Sequence, residues 1–243
     1  TGNLGLPSSQ RAVAHGKPQG FEPPFAPRCS AHGDAGDLAG VARARRPLYR
    51  VGDATGDRLM RAFFAVDVPD DLADAVARVQ EPLADAEGLD LVDPANAHVT
   101  LDFLGDVTDD EREAVIEAGA AAVEAAGVGP FEVGVGGLGV FPSLDYISVV
   151  WTGIGDGAAE LAALHEELET RTTDLGFEPD DHAFTPHVTL ARMRDARGKE
   201  LVQETVRETT PDVGRFEATE VRLKASHLTH EGPEYETVER FEL

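Results

Sequence analysis

Apolar and polar residues recur with two different periods between residues 60 and 243. Apolar runs bounded by turn residues are typical of buried strands, and apolar residues three and four positions apart are typical of helices. The runs predict strands over 61–67, 98–104, 131–141, 146–152, 184–192, 216–223 and 235–243. The helical spacing predicts helices from Pro69 to Leu83, from an N-cap at Thr108 to about Ala126, over 157–176 and over 198–208. Strands and helices mixed in two comparable halves predict an α+β protein of two lobes.

Composition narrows the class of protein and its compartment. Hydrophobic residues make up 42% of the chain, and no apolar run reaches the ~18 residues that a membrane-spanning helix needs. The first residues include no apolar stretch of the kind that forms a secretory signal. The single cysteine, Cys29, excludes an internal disulfide and a cysteine-based zinc site. We therefore expect a globular, cytoplasmic protein without a membrane partner.

Charge divides the chain near residue 59. Residues 1–59 hold eight Lys/Arg and five Asp/Glu, whereas residues 60–243 hold thirteen and forty. The first part is rich in Gly and Pro and has no sustained period, so we expect a disordered extension, or an extraneous one upstream of a start at Met60. The alternative for this segment is a basic arm that binds RNA through Arg43, Arg45 and Arg46.

The acidic part contains only two lysines, Lys199 and Lys224, which is the balance of a halophilic protein. At ~1 M salt the Debye length is about 3 Å, so dense surface carboxylates repel one another weakly. The same negative field opposes nonspecific binding along a phosphate backbone, because that binding depends on Lys and Arg. Any RNA substrate should therefore be recognised locally, at one end or at one phosphodiester.

A tetrapeptide occurs twice in the acidic part. His98-Val-Thr-Leu returns 89 residues later as His187-Val-Thr-Leu, each time on a predicted strand. Side chains alternate across a strand with period 2, so His98 and Thr100 share one face while Val99 points to the other. The second copy behaves in the same way. Two lobes could thus present two His/Thr pairs across one cleft.

Two imidazoles and two hydroxyls across a cleft suit the hydrolysis of a phosphodiester. One histidine can take a proton from water while the other protonates the departing oxygen. Thr100 and Thr189 can donate hydrogen bonds to nonbridging oxygens, and Arg192 can add a fixed positive charge. The spacing of the histidines fits no zinc motif, so neither a metal nor another cofactor is expected. The remaining candidates, His165 on a helix and His182 in a loop, are not expected to be catalytic.

Five segments in order carry a resemblance to a known family. They are Met60–Pro69, His98–Gly105, the Gly-Leu-Gly-Val-Phe-Pro run at 137–142, Pro186–Arg192, and Ser226-x-Leu228 followed by Gly232-Pro233-x-Tyr235. Together they cover nearly all of residues 60–243. This part of the chain resembles the RNA 2′,3′-cyclic phosphodiesterases of the two-histidine (2H) phosphoesterase superfamily, which are also called 2′-5′ RNA ligases.

The resemblance implies a bilobal fold of mostly antiparallel sheet with outer helices around a central groove. It implies opening of RNA 2′,3′-cyclic phosphate ends, such as those of tRNA fragments, to 2′-phosphates by a monomer. His98 corresponds to the proton donor and His187 to the proton acceptor. Thr100 and Thr189 correspond to the phosphate-binding threonines, and Arg192 to a basic residue after the second motif. Ligation of 2′-5′ ends is the reverse reaction, with hydrolysis the expected net direction in water.

One position departs from the family pattern, and two other functions stay open. Asp102 stands where a lysine is common in the family. A halophilic surface would explain this substitution, and the substitution removes any phosphate contact from that position. A related enzyme could act on another substrate, such as a cyclic phosphate on ADP-ribose or a 2′-5′ oligonucleotide. A noncatalytic RNA-end binding protein is the other alternative, although loss of one histidine would be its usual sign.

Overall fold

The computed structural model describes residues 59–229 and 232–243, and its mixture of strands and helices confirms the α+β prediction. The strands are β1 (Met60–Asp67), β2 (Leu89–Leu91), β3 (His98–Val107), β4 (Phe131–Ser143), β5 (Tyr146–Ile154), β6 (His187–Met193), β7 (Asp212–Ala218), β8 (Glu220–Thr229) and β9 (Gly232–Glu242). The α-helices are α1 (Ala73–Gln80), α2 (Arg112–Ala126), α3 (Ala158–Asp174) and α4 (Lys199–Glu208). Short 3-10 turns cover Asp70–Leu72, Glu81–Leu83 and Pro94–Asn96. The expectations for residues 1–58, Cys29 and the three arginines of the basic arm among them, lie outside the described residues.

All nine strands of the described residues belong to one antiparallel sheet. Its order is β7-β4-β5-β6-β3-β1-β8-β9. The short strand β2 lies outside this order and forms an antiparallel pair with β6. The two motif strands, β3 and β6, are neighbours at the centre, and a single residue pair, Val99 and Val188, joins them. The sheet therefore consists of two four-stranded halves, each ending at the centre on a strand that opens with His-Val-Thr-Leu.

The connection between β7 and β8 shows that the sheet is strongly curved. β7 is the edge strand of one half, whereas β8 pairs with β1 and β9 in the other half. Only Thr219 lies between them, and one residue spans about 3.8 Å. The end of β7 therefore lies next to the start of β8 although the two strands are far apart in the sheet order, and this curls the sheet into a half-barrel.

Helices cover one face of this sheet and complete the core. Leu161, Leu164 and Leu168 of α3 are fully buried, at the spacing from which the helix was predicted. Helix α2 begins where Thr108 and Glu111 exchange hydrogen bonds: the Thr108 N–H donates to the Glu111 carboxylate (2.9 Å) and the Glu111 N–H donates to the Thr108 hydroxyl (3.3 Å). This reciprocal pair is a capping box at the turn that leads into the helix, although α2 itself begins at Arg112, four residues after the predicted N-cap. None of the helices in the described part combines the length and apolarity needed to cross a bilayer.

Two predictions about strands are wrong in detail. The strand predicted over 216–223 is two strands, because the chain leaves the pairing with β4 after Ala218 and then pairs with β9 from Glu220 and with β1 from Arg222. The buried residues Phe216 and Ala218 are followed by Val221 and Leu223, so the alternation shifts by one residue at Thr219 and Glu220, and this shift is the sign of the change of partner in the sequence. The three-residue strand β2 was not predicted, since Leu89 is only half-buried against β6 and Leu91 is exposed.

Candidate active site

The pairing of β3 with β6 brings both motifs to one place. Val99 faces Val188 in antiparallel register, and both valines are fully buried. In that register His98 lies opposite Thr189 and Thr100 lies opposite His187. The two histidines are then diagonal neighbours, on the order of 7–8 Å apart between Cα atoms. All four polar side chains occupy the face of the sheet that the valines do not, which is the face opposite the core.

Each imidazole is held by the same backbone device. The Nδ1–H of His98 donates to the Asn96 carbonyl at 2.7 Å, and the Nδ1–H of His187 donates to the Thr185 carbonyl at 2.7 Å. In both cases the acceptor is two residues before the histidine. A carbonyl can only accept, so this contact assigns the Nδ1–H tautomer and leaves Nε2 as the reactive nitrogen.

Aromatic rings from neighbouring strands pack against both histidines. The His98 ring lies 5.0 Å from the Phe63 ring and 5.2 Å, edge-on, from Tyr235. The His187 ring lies 4.9 Å, edge-on, from Phe141 and 6.0 Å from Trp151. These rings restrict the imidazoles and remove water from one side of each. Sequence reasoning did not identify them, because they come from strands β1, β9, β4 and β5.

Burial lowers the pKa of both histidines. The pKa of His98 falls to about 4, mainly because its ring is desolvated; the nearby Lys224 and Arg192 lower it further, while the Asn96 carbonyl and Asp67 oppose the shift. Desolvation also lowers the pKa of His187, helped by Arg192 and opposed by the Thr185 carbonyl. Both imidazoles are therefore neutral at pH 7 before any anion binds.

A cavity of about 870 Å³ adjoins the four polar residues. His98, Thr100, Thr189 and Arg192 line it, and so do residues of β2, of the turn at Pro94–Asn96 and of the start of β9. His187 is not among its lining residues, and it adjoins the cavity through Thr100, which lies opposite it. The space is large enough for a nucleotide, and both threonines line it.

Arg192 supplies positive charge at this cavity. It lies on β6 opposite Asp90 of β2 and Val149 of β5, and its side chain is exposed. Other arginines, such as Arg194 and Arg215, are paired with carboxylates. Within residues 59–229 and 232–243, Arg192 has no carboxylate partner within 4.0 Å. Its guanidinium is therefore available to an anion.

The two motif strands also share a bulge, and it overturns the explanation offered for Asp102. Register shifts place an extra residue, Leu101 or Leu190, directly after each threonine. The bulge turns Asp102 to the buried side, where it is 9% exposed and accepts a 2.8 Å hydrogen bond from the Thr172 hydroxyl. Burial raises the pKa of the Asp102 carboxyl. Asp102 is thus a core residue bonded to α3, and a halophilic surface does not account for it.

His165 and His182, the two other histidines considered from the sequence, lie apart from the two motif faces. The His165 ring stacks on Phe184 at 4.2 Å, and its Nδ1–H donates to the Leu101 carbonyl at 2.7 Å. His182 is exposed and lies 3.5 Å from the Asp180 carboxylate. Across the described residues, no three His, Cys, Asp or Glu side chains are grouped as ligands for a metal ion.

Comparison with known proteins agrees with this geometry. The model of the 2′-5′ RNA ligase superfamily matches residues 68–228. The chain belongs to that superfamily. The RNA 2′,3′-cyclic phosphodiesterase of Methanothermobacter thermautotrophicus is 35% identical over 186 residues, which are 76% of this chain and 99% of the relative. The enzyme of the same name from Aeropyrum pernix is 36% identical over 168 residues, 69% of this chain and 90% of the relative.

Among solved structures, the superfamily fold recurs in the protein TT0787 of Thermus thermophilus. Its crystal structure superposes with a TM-score of 0.64 at 26% identity, covering 76% of this chain and 98% of that one. The fold predicted from the five segments, an antiparallel sheet in two halves with outer helices, is therefore confirmed.

Proposed function

We propose that this member of the 2′-5′ RNA ligase superfamily hydrolyses RNA 2′,3′-cyclic phosphate ends to 2′-phosphates, with His98 as proton donor and His187 as proton acceptor. The register that sets His98 against Thr189 and Thr100 against His187 carries the proposal. It gives a phosphate one imidazole and one hydroxyl from each strand. The names of the curated relatives support the choice of substrate.

The reaction follows from the free Nε2 atoms of the two rings. His187 Nε2 takes a proton from water as its oxygen attacks phosphorus, and His98 Nε2 gives a proton to the 3′-oxygen as the P–O3′ bond breaks. The product carries a 2′-phosphate and a 3′-hydroxyl. Thr100 and Thr189 donate to the nonbridging oxygens, and the Arg192 guanidinium balances their charge. No step requires a metal.

The negative charge of the substrate makes it possible for one of the two imidazoles to be protonated. Both histidines are neutral in the free protein because burial lowers their pKa values. A bound phosphodiester carries one negative charge, and an opposite charge within ~4–6 Å raises the pKa of a histidine. Binding therefore protonates one ring, and its low intrinsic pKa makes it a strong acid toward the leaving oxygen.

The charge of the protein limits the mode of RNA recognition. Forty Asp/Glu in residues 60–243 repel an extended phosphate backbone. The cavity beside His98 accommodates a terminal nucleotide, so binding there requires no contacts along the rest of the RNA backbone. We therefore extend the proposal to RNA ends, including those of tRNA fragments, bound by a cytoplasmic monomer.

The test is turnover of a short RNA that ends in a 2′,3′-cyclic phosphate, analysed by mass spectrometry and by phosphatase sensitivity. We expect a 2′-phosphate product, and a rate that is unchanged by EDTA. Replacing His98 or His187 by Ala should lower the rate by on the order of 10²–10⁴-fold, and the double variant should be little slower than either single one. His182→Ala, at an exposed histidine outside the site, is the matched control and should keep the wild-type rate.

Three outcomes would contradict the proposal. A 3′-phosphate product would reverse the assignment of the leaving oxygen. Tight binding of the RNA end without turnover would identify a noncatalytic binding protein. Faster turnover of a cyclic phosphate on ADP-ribose or of a 2′-5′ oligonucleotide would identify a superfamily member with another substrate.

A further inference from the structure

Each motif histidine packs edge-on against one aromatic ring. Tyr235 of β9 meets the His98 ring with 5.2 Å between centroids and 80° between planes, and Phe141 of β4 meets the His187 ring at 4.9 Å and 83°. The two contacts are equivalent, although only one of the two rings carries a hydroxyl. Packing against an imidazole therefore does not require the Tyr235 hydroxyl, and the reaction above gives this oxygen no role.

The Tyr235 ring is fixed by neighbours from three strands. Besides His98 of β3, the Phe63 ring of β1 lies 5.4 Å away, edge-on, and the Lys224 ammonium of β8 lies 5.7 Å from the ring centre. The phenol oxygen lies in the plane of the ring, so a fixed ring also fixes the position of this oxygen. A donor that is in place before the substrate binds needs no reorganisation during the reaction.

Tyr235 lines the cavity of the proposed reaction together with His98 and both motif threonines. Within the described residues its hydroxyl makes no hydrogen bond; burial raises the pKa of this hydroxyl, and the charges of Arg192 and Arg61 oppose the rise only in part. The hydroxyl is therefore a protonated donor at pH 7. Polar groups that are withdrawn from water normally have a hydrogen-bond partner, so this donor is available to a ligand in the cavity.

One guanidinium connects the Tyr235 hydroxyl with both histidines. The charge of Arg192 acts on the pKa values of His98, of His187 and of the Tyr235 hydroxyl, so these three groups surround one place. The Arg61 guanidinium, the second charge near the hydroxyl, lies 5.0 Å from the centre of an aromatic ring, and no carboxylate of the described residues is within 4.0 Å of it. A donor between two such cations is suited to an anion.

We propose that Tyr235 is a further catalytic residue, whose hydroxyl donates a hydrogen bond to a nonbridging oxygen of the phosphate beside Arg192. The two motif threonines donate to the same phosphate from the central strands, and Tyr235 donates from the edge strand β9. The nonbridging oxygens carry more negative charge as water attacks phosphorus, so this bond also contributes to kcat. The inference rests on the proposed function for the identity of the substrate, and inorganic phosphate tests it without turnover.

The decisive variant is Tyr235→Phe, which removes the oxygen and keeps the ring. Its affinity for inorganic phosphate, followed by NMR titration of the histidine rings at fixed KCl, should fall roughly ten- to hundredfold, the loss expected for one hydrogen bond to a charged group. Its kcat/KM on an RNA cyclic phosphate should fall by at least the same factor. The pKa of His98 in the free protein should not change, because the ring that desolvates it is still present.

A second tyrosine provides the matched control. Tyr146 is 71% exposed at the start of β5, so Tyr146→Phe should keep the wild-type phosphate affinity and turnover. Tyr235→Leu removes the ring as well as the oxygen, and the pKa of His98 should then rise towards its ordinary value because the imidazole is less desolvated. The two Tyr235 variants thus separate the effect of the ring from that of the hydroxyl.

Equal phosphate affinity in Tyr235→Phe and in the wild type would overturn the contact. A lower kcat/KM with unchanged phosphate affinity would also overturn it, because the hydroxyl would then bind the ribose or the base. A changed pKa of His98 in Tyr235→Phe would show that the hydroxyl acts through the imidazole and not on the phosphate. Wild-type protein that binds phosphate more tightly than Tyr235→Phe but does not turn over the RNA would instead overturn the proposed function and leave the phosphate contact intact.

Discussion

Acid should destabilise this protein through His98 before most of its carboxylates are protonated. The pKa of His98 is about 4 in the folded protein and about 6.5 in an unfolded chain. Between these values the unfolded state binds more protons, so the free energy of unfolding rises with pH in this window and falls as pH drops through it. The difference corresponds to about 3 kcal/mol for complete titration, and about 2 kcal/mol is already lost at pH 5.

The prediction is tested by urea unfolding at pH 8, 7, 6, 5 and 4 in a fixed high concentration of KCl. The reference is His98→Gln, which cannot titrate, so that contributions of other groups largely cancel in the difference between the two proteins. We expect the stability of the wild type to fall relative to His98→Gln by about 2 kcal/mol between pH 8 and pH 5. Parallel curves over that range would refute the argument that the ring is desolvated and neutral.

Inorganic phosphate extends the same measurement to the site. An anion bound between the two threonine hydroxyls raises the pKa of His98 and should remove much of the acid sensitivity of the wild type. Sulfate, which does not titrate near pH 6–7, separates this effect from the ionisation of phosphate. Equal protection of His98→Gln by the anion would mean that it acts elsewhere on the protein.

Three further predictions concern other parts of the chain. Asp102→Lys should lower the free energy of unfolding by about 3–5 kcal/mol, because it breaks a buried hydrogen bond and buries an unpaired charge. Asp102→Asn keeps an acceptor for Thr172 and should lower it by about 1 kcal/mol. Urea unfolding distinguishes the two variants. Arg192→Met should raise KM for the cyclic phosphate about tenfold, since a charge-assisted hydrogen bond contributes ~1.5–3 kcal/mol, and Arg194→Met, in an exposed ion pair with Asp90, is its control. Removing residues 1–59 should leave the melting temperature and turnover unchanged, because their composition favours no packed structure; a large fall in melting temperature would contradict this.

The sequence predicts the central strands and the facing of the motifs because these features depend on local periodicity. His98 and Thr100 share a face for the same reason that Val99 is buried, namely the period of a strand. The same rule fails two residues later, since the bulge at Leu101 turns Asp102 inward. A bulge depends on the partner strand, and the sequence of one strand does not reveal it.

The surroundings of the histidines were also beyond the reach of local patterns. Tyr235 approaches His98 only because β9 pairs with β8, and β8 with β1, across more than 130 residues of chain. Lys224 is notable in the sequence as one of two lysines in residues 60–243. Its neighbours in the sequence do not indicate that it is buried and bonded to Asp67. The Asn96 and Thr185 carbonyls are the exception. Each belongs to the residue two positions before a motif histidine, so a comparison of the two motifs could have shown that they have equivalent roles.

The pairing of β1 with β8, a strand from the end of the chain, has a consequence for the order in which the protein can form. One half of the sheet, β4 to β7, is a continuous stretch of chain, whereas the other half joins β1 and β3 to strands that leave the ribosome last. At about 5–20 residues per second, β1 waits on the order of ten to thirty seconds for β8. Until then it has an unpaired edge, and His98 lacks both Lys224 and Tyr235. An incomplete chain can therefore close one half of its sheet but cannot assemble the acid of its own active site.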